Sequence, residues 1–381
     1  CLSKMSSIRD NVVLKLGEFF SGPGGLAMGA IMSKSVNNGT KLSISSAWAN
    51  DYDEDSCKTY SLNIDGDANS ENVICSDVSK IDIKTLAPID IFAYGFPCND
   101  FSVVGERLGF GGKFGGLYRY GIEVLNYHKP KVVVAENVGG INSANQGNAF
   151  EKILSDLESA GNGYKLTVHK YKSEDYGVPQ TRHRYVIVGI DKTLNLEFKV
   201  PRSTHAGSPV PVKVALSLIP KDALNHEIPK MSSIVAERLK LIKPGENVWT
   251  ADLPKHLKLN VKAATLSQIY KRLHPDRPSY TITGSGGGGT HGYHHEEPRP
   301  LTNRERARIQ TFPDNFEFLG NYSSVRKQIG MAVPVQLSKI IFTAILNTLN
   351  GKPYAHIPAN YSRIQFSDRY SQTSLTLKKA N

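Results

Sequence analysis

A thiol, a carboxylate and two guanidinium groups stand at comparable places in this chain, each beside a short apolar run. Cys98 sits in Gly95-Phe96-Pro97-Cys98-Asn99-Asp100-Phe101-Ser102, directly after the run Ile89 to Tyr94. Glu136 closes the β-branched run of Lys131-Val132-Val133-Val134-Ala135-Glu136-Asn137-Val138. Arg182 and Arg184 lie in Gln180-Thr181-Arg182-His183-Arg184, which opens a further apolar run. A thiolate is a nucleophile, and a nearby cation favours it over the thiol. A carboxylate beside it can hold or move a proton at the group under attack, so the set is suited to covalent catalysis. A free cysteine taken singly is commonly a buried apolar thiol. Its company is what makes Cys98 a candidate.

Positioning these groups requires strands that end together. Apolar runs ending at Gly-Phe-Pro-Cys and at Ala-Glu-Asn read as buried strands of one parallel sheet, and ligands bind beyond the carboxyl ends of such strands. Alternation puts Arg182 and Arg184 on one face, so both can reach one site. Upstream, a strand from Val12 to Phe20, interrupted by Lys15, runs into Ser21-Gly22-Pro23-Gly24-Gly25 and a helix over Leu26 to Met32. Glycines at such a turn let backbone approach a ligand closely. No Gly-Lys-Ser/Thr follows, which excludes a phosphate-binding P-loop. A second strand, Leu42 to Ala49, ends at Asn50-Asp51-Tyr52, and a third runs through Val73-Ile74-Cys75-Ser76-Asp77-Val78. Helices are expected over Leu117 to about Tyr127, Ala149 to Ala160, a stretch after Leu301 capped by Thr302 and Glu305, and Pro334 to Leu349. The fold class is α/β.

Composition narrows the setting. The 381 residues suffice for a large domain plus a smaller one, and 40% hydrophobic with 21% charged residues fits a globular protein without a membrane role. No apolar run is read as a membrane span or a signal peptide, and a cytoplasmic location is expected. Four scattered cysteines, Cys1, Cys57, Cys75 and Cys98, make neither a disulfide framework nor a zinc site. The net charge of +11 suggests a polyanionic partner. From Pro201 to Arg272 there are 12 Lys and Arg against 5 Asp and Glu, so +7 of the excess falls in a stretch without enzyme-like motifs. That favours a nucleic-acid-binding region, with the Pro-rich stretch Pro201 to Pro211 as its boundary. His291, His294, His295, Glu296 and Glu297 lack metal-ligand spacing, and no metal is expected.

Phe20-Ser21-Gly22-Pro23-Gly24-Gly25, the Cys98 and Glu136 motifs, Gln180 to Arg184, and Arg326-Lys327-Gln328-Ile329-Gly330-Met331-Ala332-Val333-Pro334 resemble, in order and spacing, the motifs of the cytosine-5 DNA methyltransferases. The resemblance runs from about Leu14 to Leu349. It implies a Rossmann-like methyltransferase sheet with a second, smaller target-recognition domain. The boundaries that follow are residues 1–200 for the large domain, 201–295 for the small one, 296–350 for helices returning to the large domain, and 351–381 for a polar tail. It implies S-adenosyl-L-methionine as cofactor, with Phe20, Gly22, Pro23, Gly24, Gly25, Pro97, Leu117, Met331 and Val333 around it. Asp51 would accept from the ribose hydroxyls, a role compatible with the other reading of this stretch, a helix cap at Asp51 or Asp53; Tyr52 would stack on adenine and Asp77 accept from its amino group. Ser102, Arg272, Arg277, Thr281, Ser285 and Gly286 would touch DNA, with Arg272, Arg277 and the loop Thr281 to Gly289 at the major groove.

The reaction implied is attack by Cys98 on carbon 6 of a flipped cytosine, with Glu136 at ring N3 and the amine and Arg182 and Arg184 at O2. Double-stranded DNA is the expected partner of a monomeric bacterial restriction-modification enzyme, beside a separate cognate endonuclease. Methylation of RNA, or a DNA-binding relative without catalysis, are the alternatives. Asn99, Asp100 and Met331 depart from the family's usual residues, and Met331 weakens any side-chain amide contact to the cofactor there.

Overall fold

The computed structural model describes residues 10–96, 116–138, 144–260, 267–284 and 289–361. Its sheet begins with β1 (Asp10–Phe19), followed by α1 (Gly25–Ile31), β2 (Lys34–Asn37), β3 (Thr40–Asp51), α2 (Glu54–Tyr60), β4 (Val73–Cys75) and β5 (Ile91–Gly95). The second half comprises α3 (Leu117–His128), β6 (Val132–Val138), α4 (Ala144–Ser159), β7 (Tyr164–Lys172) and β8 (His183–Asp191). The strands lie in the order β2-β3-β1-β5-β6-β8-β7, with β4 on β3. β1 is parallel to both β3 and β5, and β5 is parallel to β6, whereas β8 is antiparallel to β6 and β7. The connections therefore diverge from the seam between β1 and β5. Such a switch point leaves a crevice beyond the strand ends, and here it lies where β1 runs into the Phe20–Gly25 turn and β5 into Gly95-Phe96.

The unbroken apolar runs follow from burial of the sheet on both faces. Ile91, Ala93, Val132 and Val134 join one core cluster with Leu26, Leu337 and Ile341, whereas Phe92, Tyr94, Val133 and Ala135 join a second with Val124, Leu125, Ile153 and Leu157. A strand with alternate residues in two cores shows no polar alternation. At Gly17 the Trp48 ring fills the space a Cβ would take, and at Gly121 the Tyr94 ring does so.

After β9 (Val200–Pro201) regular structure becomes sparse, with α5 (Val212–Leu216) and α6 (Ser233–Leu241). Residues of this stretch form their own buried cluster around Leu239, Ile242, Val248, Leu257, Tyr270 and Tyr293. The chain then returns through α7 (Asn303–Ile309), α8 (Tyr322–Met331) and α9 (Val335–Leu349) to β10 (His356–Ile357), which pairs with β9. The capping box at α7 has both of its hydrogen bonds, Glu305 N to Thr302 Oγ1 at 3.2 Å and Thr302 N to Glu305 Oε2 at 2.8 Å. Tyr322–Leu349 is long and apolar enough to cross a membrane, unlike the sequence reading, but 67% of its apolar 18-residue window is buried within the protein. α9 spends its apolar face on the sheet, with Leu337, Ile341, Phe342 and Ile345 in the core.

Candidate active site

Glu136 is set beside the end of β5 by register. Gly95 pairs with Glu136 across the parallel ladder, and the Glu136 carboxylate stands 3.4 Å from where a Gly95 Cβ would be. On the other side, antiparallel pairing of β6 with β8 brings up Arg184, whose Nε lies 3.0 Å from Glu136 Oε1. Burial pushes the Glu136 carboxyl above its ordinary range, and the attraction of Arg184 and then Arg182 reverses part of that rise. Arg182, also buried, is pushed down to about 9, chiefly by loss of solvent and then by the like charge of Arg184. Its Nη1 donates to the Ile282 carbonyl at 3.2 Å, and Arg184 Nη1 donates to the His183 carbonyl at 2.7 Å. One carboxylate with two cations can grip a polar heterocycle edge and stabilise charge developing there. Cys98 and Pro97 lie outside the described residues, as does Ser102.

The other candidate ligand-binding groups gather at the ends of β1 and β3. Phe20, Gly22 and Gly24 all have positive φ, at 56°, 53° and 96°, which makes the turn tight. Asp51 ties this turn down. Its Oδ2 accepts from Gly22 N at 2.8 Å and its Oδ1 from Asp53 N at 3.0 Å. Of the two candidate caps it is Asp53 that caps α2, accepting from Ser56 N at 2.9 Å. Burial raises the Asp51 carboxyl, with the backbone N–H groups of Asp53 and Gly22 opposing. Tyr52 is 70% exposed, with its ring open to a planar partner and the Lys327 ammonium 5.8 Å from its centroid. Lys327 also pairs with Asp53 at 3.1 Å. Gly25 is obligatory because a Cβ would overlap the Val333 carbonyl, so the turn after α8 closes directly on the glycine turn. Met331 is 63% exposed and Leu117 opens α3. Asp77 is exposed, with Oδ1 held by Ser79 N and Oγ at 2.9 and 2.8 Å.

Arg272 corrects the sequence reading. It is 6% exposed, and its guanidinium donates to the carbonyls of His294, Ile242, His295 and Glu296 at 3.0, 2.8, 2.7 and 2.9 Å. A guanidinium spent on backbone acceptors inside the small cluster cannot read a base edge. Arg272→Met is therefore expected to lower unfolding stability by about 2–4 kcal/mol, measured by denaturant titration, because the buried carbonyls of His294, Ile242 and His295 lose their donor. Arg277 is exposed, whereas Thr281 is half-buried and donates to the Thr181 carbonyl at 2.7 Å. Ser285 and Gly286 lie outside the described residues. The histidine-rich stretch is structural: the His294 and His295 rings stack at 4.6 Å, and Arg299 forks between Glu297 and Glu305. Among the described residues no group of three or more His, Cys, Asp or Glu could hold a metal ion.

Three residues with contacts at these sites had no role assigned from sequence: Gln180, Gln310 and Lys327. Gln180 and Lys327 sit inside motifs quoted above, yet their partners are more than 70 positions away in sequence. Pattern carries no signal for such pairs.

A two-faced α/β sheet with a glycine turn at its switch point and a buried carboxylate paired with an arginine beside it places a candidate site beyond the strand ends. Residues 14–347 match the model of the C-5 cytosine-specific DNA methylases. The chain belongs to that family and is a DNA (cytosine-5-)-methyltransferase. It is 54% identical over 352 residues to the Type II methyltransferase M.BbvI of Brevibacillus brevis, covering 91% of this chain and 94% of that one. It is 38% identical to M.NgoFVII of Neisseria gonorrhoeae, covering 94% of each. In fold it resembles a putative DNA modification methyltransferase encoded within a prophage of Escherichia coli, with TM-score 0.68 and 23% identity over 88% of this chain and 99% of that one.

Proposed function

We propose that the chain methylates carbon 5 of cytosine within a specific sequence of double-stranded DNA, as the modification partner of a separate restriction endonuclease. The observation that carries the catalytic reading is the Glu136–Arg184 pair, in register with the strand end that leads to Cys98. S-adenosyl-L-methionine supplies the methyl group when bound. The residues fit it: space is open beside Gly22, Asp51 offers carboxylate lone pairs at a ribose position, and Tyr52 presents an exposed ring for adenine. Phe20, Pro23, Gly24, Gly25, Asp77, Pro97, Leu117, Met331 and Val333 complete the proposed lining.

Cytosine carbon 5 is a weak nucleophile, so the Cys98 thiolate adds to carbon 6 and pushes electron density to carbon 5. Glu136 holds N3 and the exocyclic amine and shares a proton as charge develops, while Arg184 and Arg182 hold O2 and favour the thiolate. After methyl transfer a base removes the carbon 5 proton, the bond to Cys98 breaks and the ring regains aromaticity. The base must leave the duplex for this geometry. Residues 1–200 form the proposed catalytic domain, 201–295 the recognition domain, 296–350 the returning helices and 351–381 a tail, in a monomer acting in the cytoplasm. Ser102, Arg277, Thr281, Ser285 and Gly286 remain the proposed DNA contacts.

Asp51→Ala is expected to weaken S-adenosylmethionine binding by about 1–3 kcal/mol, because it removes a charged acceptor and also releases the Gly22 N–H. An unchanged dissociation constant by calorimetry would leave Asp51 as a loop tie alone. Bisulfite mapping of DNA from cells expressing the protein tests the function as a whole: one recurrent methylated sequence is expected. Methylation of transfer RNA in preference to duplex DNA would overturn it.

A further inference from the structure

The loop that carries Arg182 is zipped to the segment Ser279–Thr283, in the last part of the proposed recognition region. Ser279 N donates to the Pro179 carbonyl at 2.9 Å and Thr181 N to the Ser279 carbonyl at 2.7 Å. Three residues further on, side chains replace main chain on the loop's side. The Ile282 N–H donates to Gln180 Oε1 at 2.8 Å, while the Ile282 carbonyl accepts from Arg182 Nη1 at 3.2 Å. One residue of the recognition segment, Ile282, is thus held at both its N–H and its carbonyl by two side chains of the loop.

Gln180 extends the linkage downward. Its Nε2 donates to Gln310 Oε1 at 2.8 Å, and Gln310 Nε2 donates to the carbonyls of Ile329 and Ala332 at 2.8 and 3.2 Å. Gln180 and Gln310 are both 0% exposed, so each bond is made in a dry interior, where an unmade one is costly. The direction of donation is the same at every step, and it requires an amide at both positions. The chain ends at Ala332, beside the Val333 carbonyl that closes on Gly25. Arg182 Nε, in contrast, is buried and has no partner among the described residues.

We infer that Gln180 is a positioning residue: through the main chain of Ile282 it fixes Arg182 relative to Glu136, and so couples seating of the recognition segment to the rate of methyl transfer. The inference rests on the function proposed above. With Gln180 gone, Ile282 loses its tie and Arg182 loses its reference point. Binding of cofactor and duplex draws on other residues and is spared. Discrimination suffers as well, because a poorly seated near-target duplex then differs less from the true target in the placement of Arg182.

The test is single-turnover methylation by the full chain at saturating S-adenosylmethionine, on the target duplex and on one with a single altered base pair. Gln180→Met should slow transfer on the target about 30-fold, in line with the effect of small misplacements at reacting groups. The ratio of target to near-target rates should fall about tenfold, while the dissociation constants for S-adenosylmethionine and duplex stay within about threefold of wild type. Gln180→Glu keeps the acceptor for Ile282 N–H and should transfer several times faster than Gln180→Met. Gln310→Met keeps that bond too, and should likewise be the milder change. Wild-type rates in Gln180→Met would overturn the inference, as would a loss of cofactor affinity matching the loss of rate, or a glutamate variant no faster than the methionine one. A wild type that methylates no duplex sinks the proposed function itself, and the role of Gln180 with it.

Discussion

Cys98→Ser is expected to reduce methyl transfer below about one per cent of wild type while leaving S-adenosylmethionine binding within about twofold. A serine hydroxyl at neutral pH offers almost no alkoxide, so addition to carbon 6 fails and carbon 5 never becomes nucleophilic. The residues proposed for the cofactor, Gly22, Asp51, Tyr52 and Val333, stand at the ends of β1 and β3 and the turn after α8. Their geometry is built by Asp51 and Gly25 without the thiol. Loss of rate with retained binding is therefore the signature, read by radiolabelled transfer and by calorimetry. Turnover above one per cent would remove Cys98 as the nucleophile.

Glu136→Gln carries the second-largest expected effect, a fall of about 10²-fold in the single-turnover rate, the usual worth of a positioned proton donor or acceptor. Glutamine retains hydrogen bonding and volume, so the loss isolates the titrating proton. Burial raises the Glu136 carboxyl, and the two arginines bring it partway back. The protonated form accordingly persists to higher pH than in an ordinary carboxylate and is lost as pH rises through the raised value. Wild-type rate should decline over that range, whereas the glutamine variant should show no such limb. Arg184 then loses its carboxylate partner at 3.0 Å and retains its bond to His183. A variant with a wild-type rate and an unchanged pH profile would assign Glu136 to structure alone.

The strands that carry Gly95 and Glu136 were legible because four successive apolar residues in a doubly covered sheet leave a plain mark. So was the α7 cap, since Thr302 and Glu305 satisfy each other's backbone within one turn. The expected helix over Ala149 to Ala160 begins at Ala144 in the structure, its first turn lacking an apolar pattern. β7 was missed: Tyr164–Lys172 carries four basic or histidine side chains at the sheet edge, which masks its strand character. Arg272 shows the limit more sharply. A cation in a basic stretch reads as a contact for DNA, yet its environment is made by His294, His295 and Glu296, more than 20 residues downstream and without any periodic relation to it. The two-amide linkage of Gln180 and Gln310 was hidden for the same reason. Long-range hydrogen bonds leave no local spacing to find.

The most direct test of the account is covalent capture. The protein is incubated with S-adenosylmethionine and a duplex bearing 5-fluorocytosine at the target position, then separated under denaturing conditions and analysed by mass spectrometry. Fluorine at carbon 5 cannot leave as a proton, so the adduct cannot collapse. The account predicts a stable one-to-one complex whose peptide map places the methylated base on Cys98, and none with Cys98→Ser. A wild-type protein that methylates ordinary duplex yet forms no adduct with the fluorinated one would contradict it.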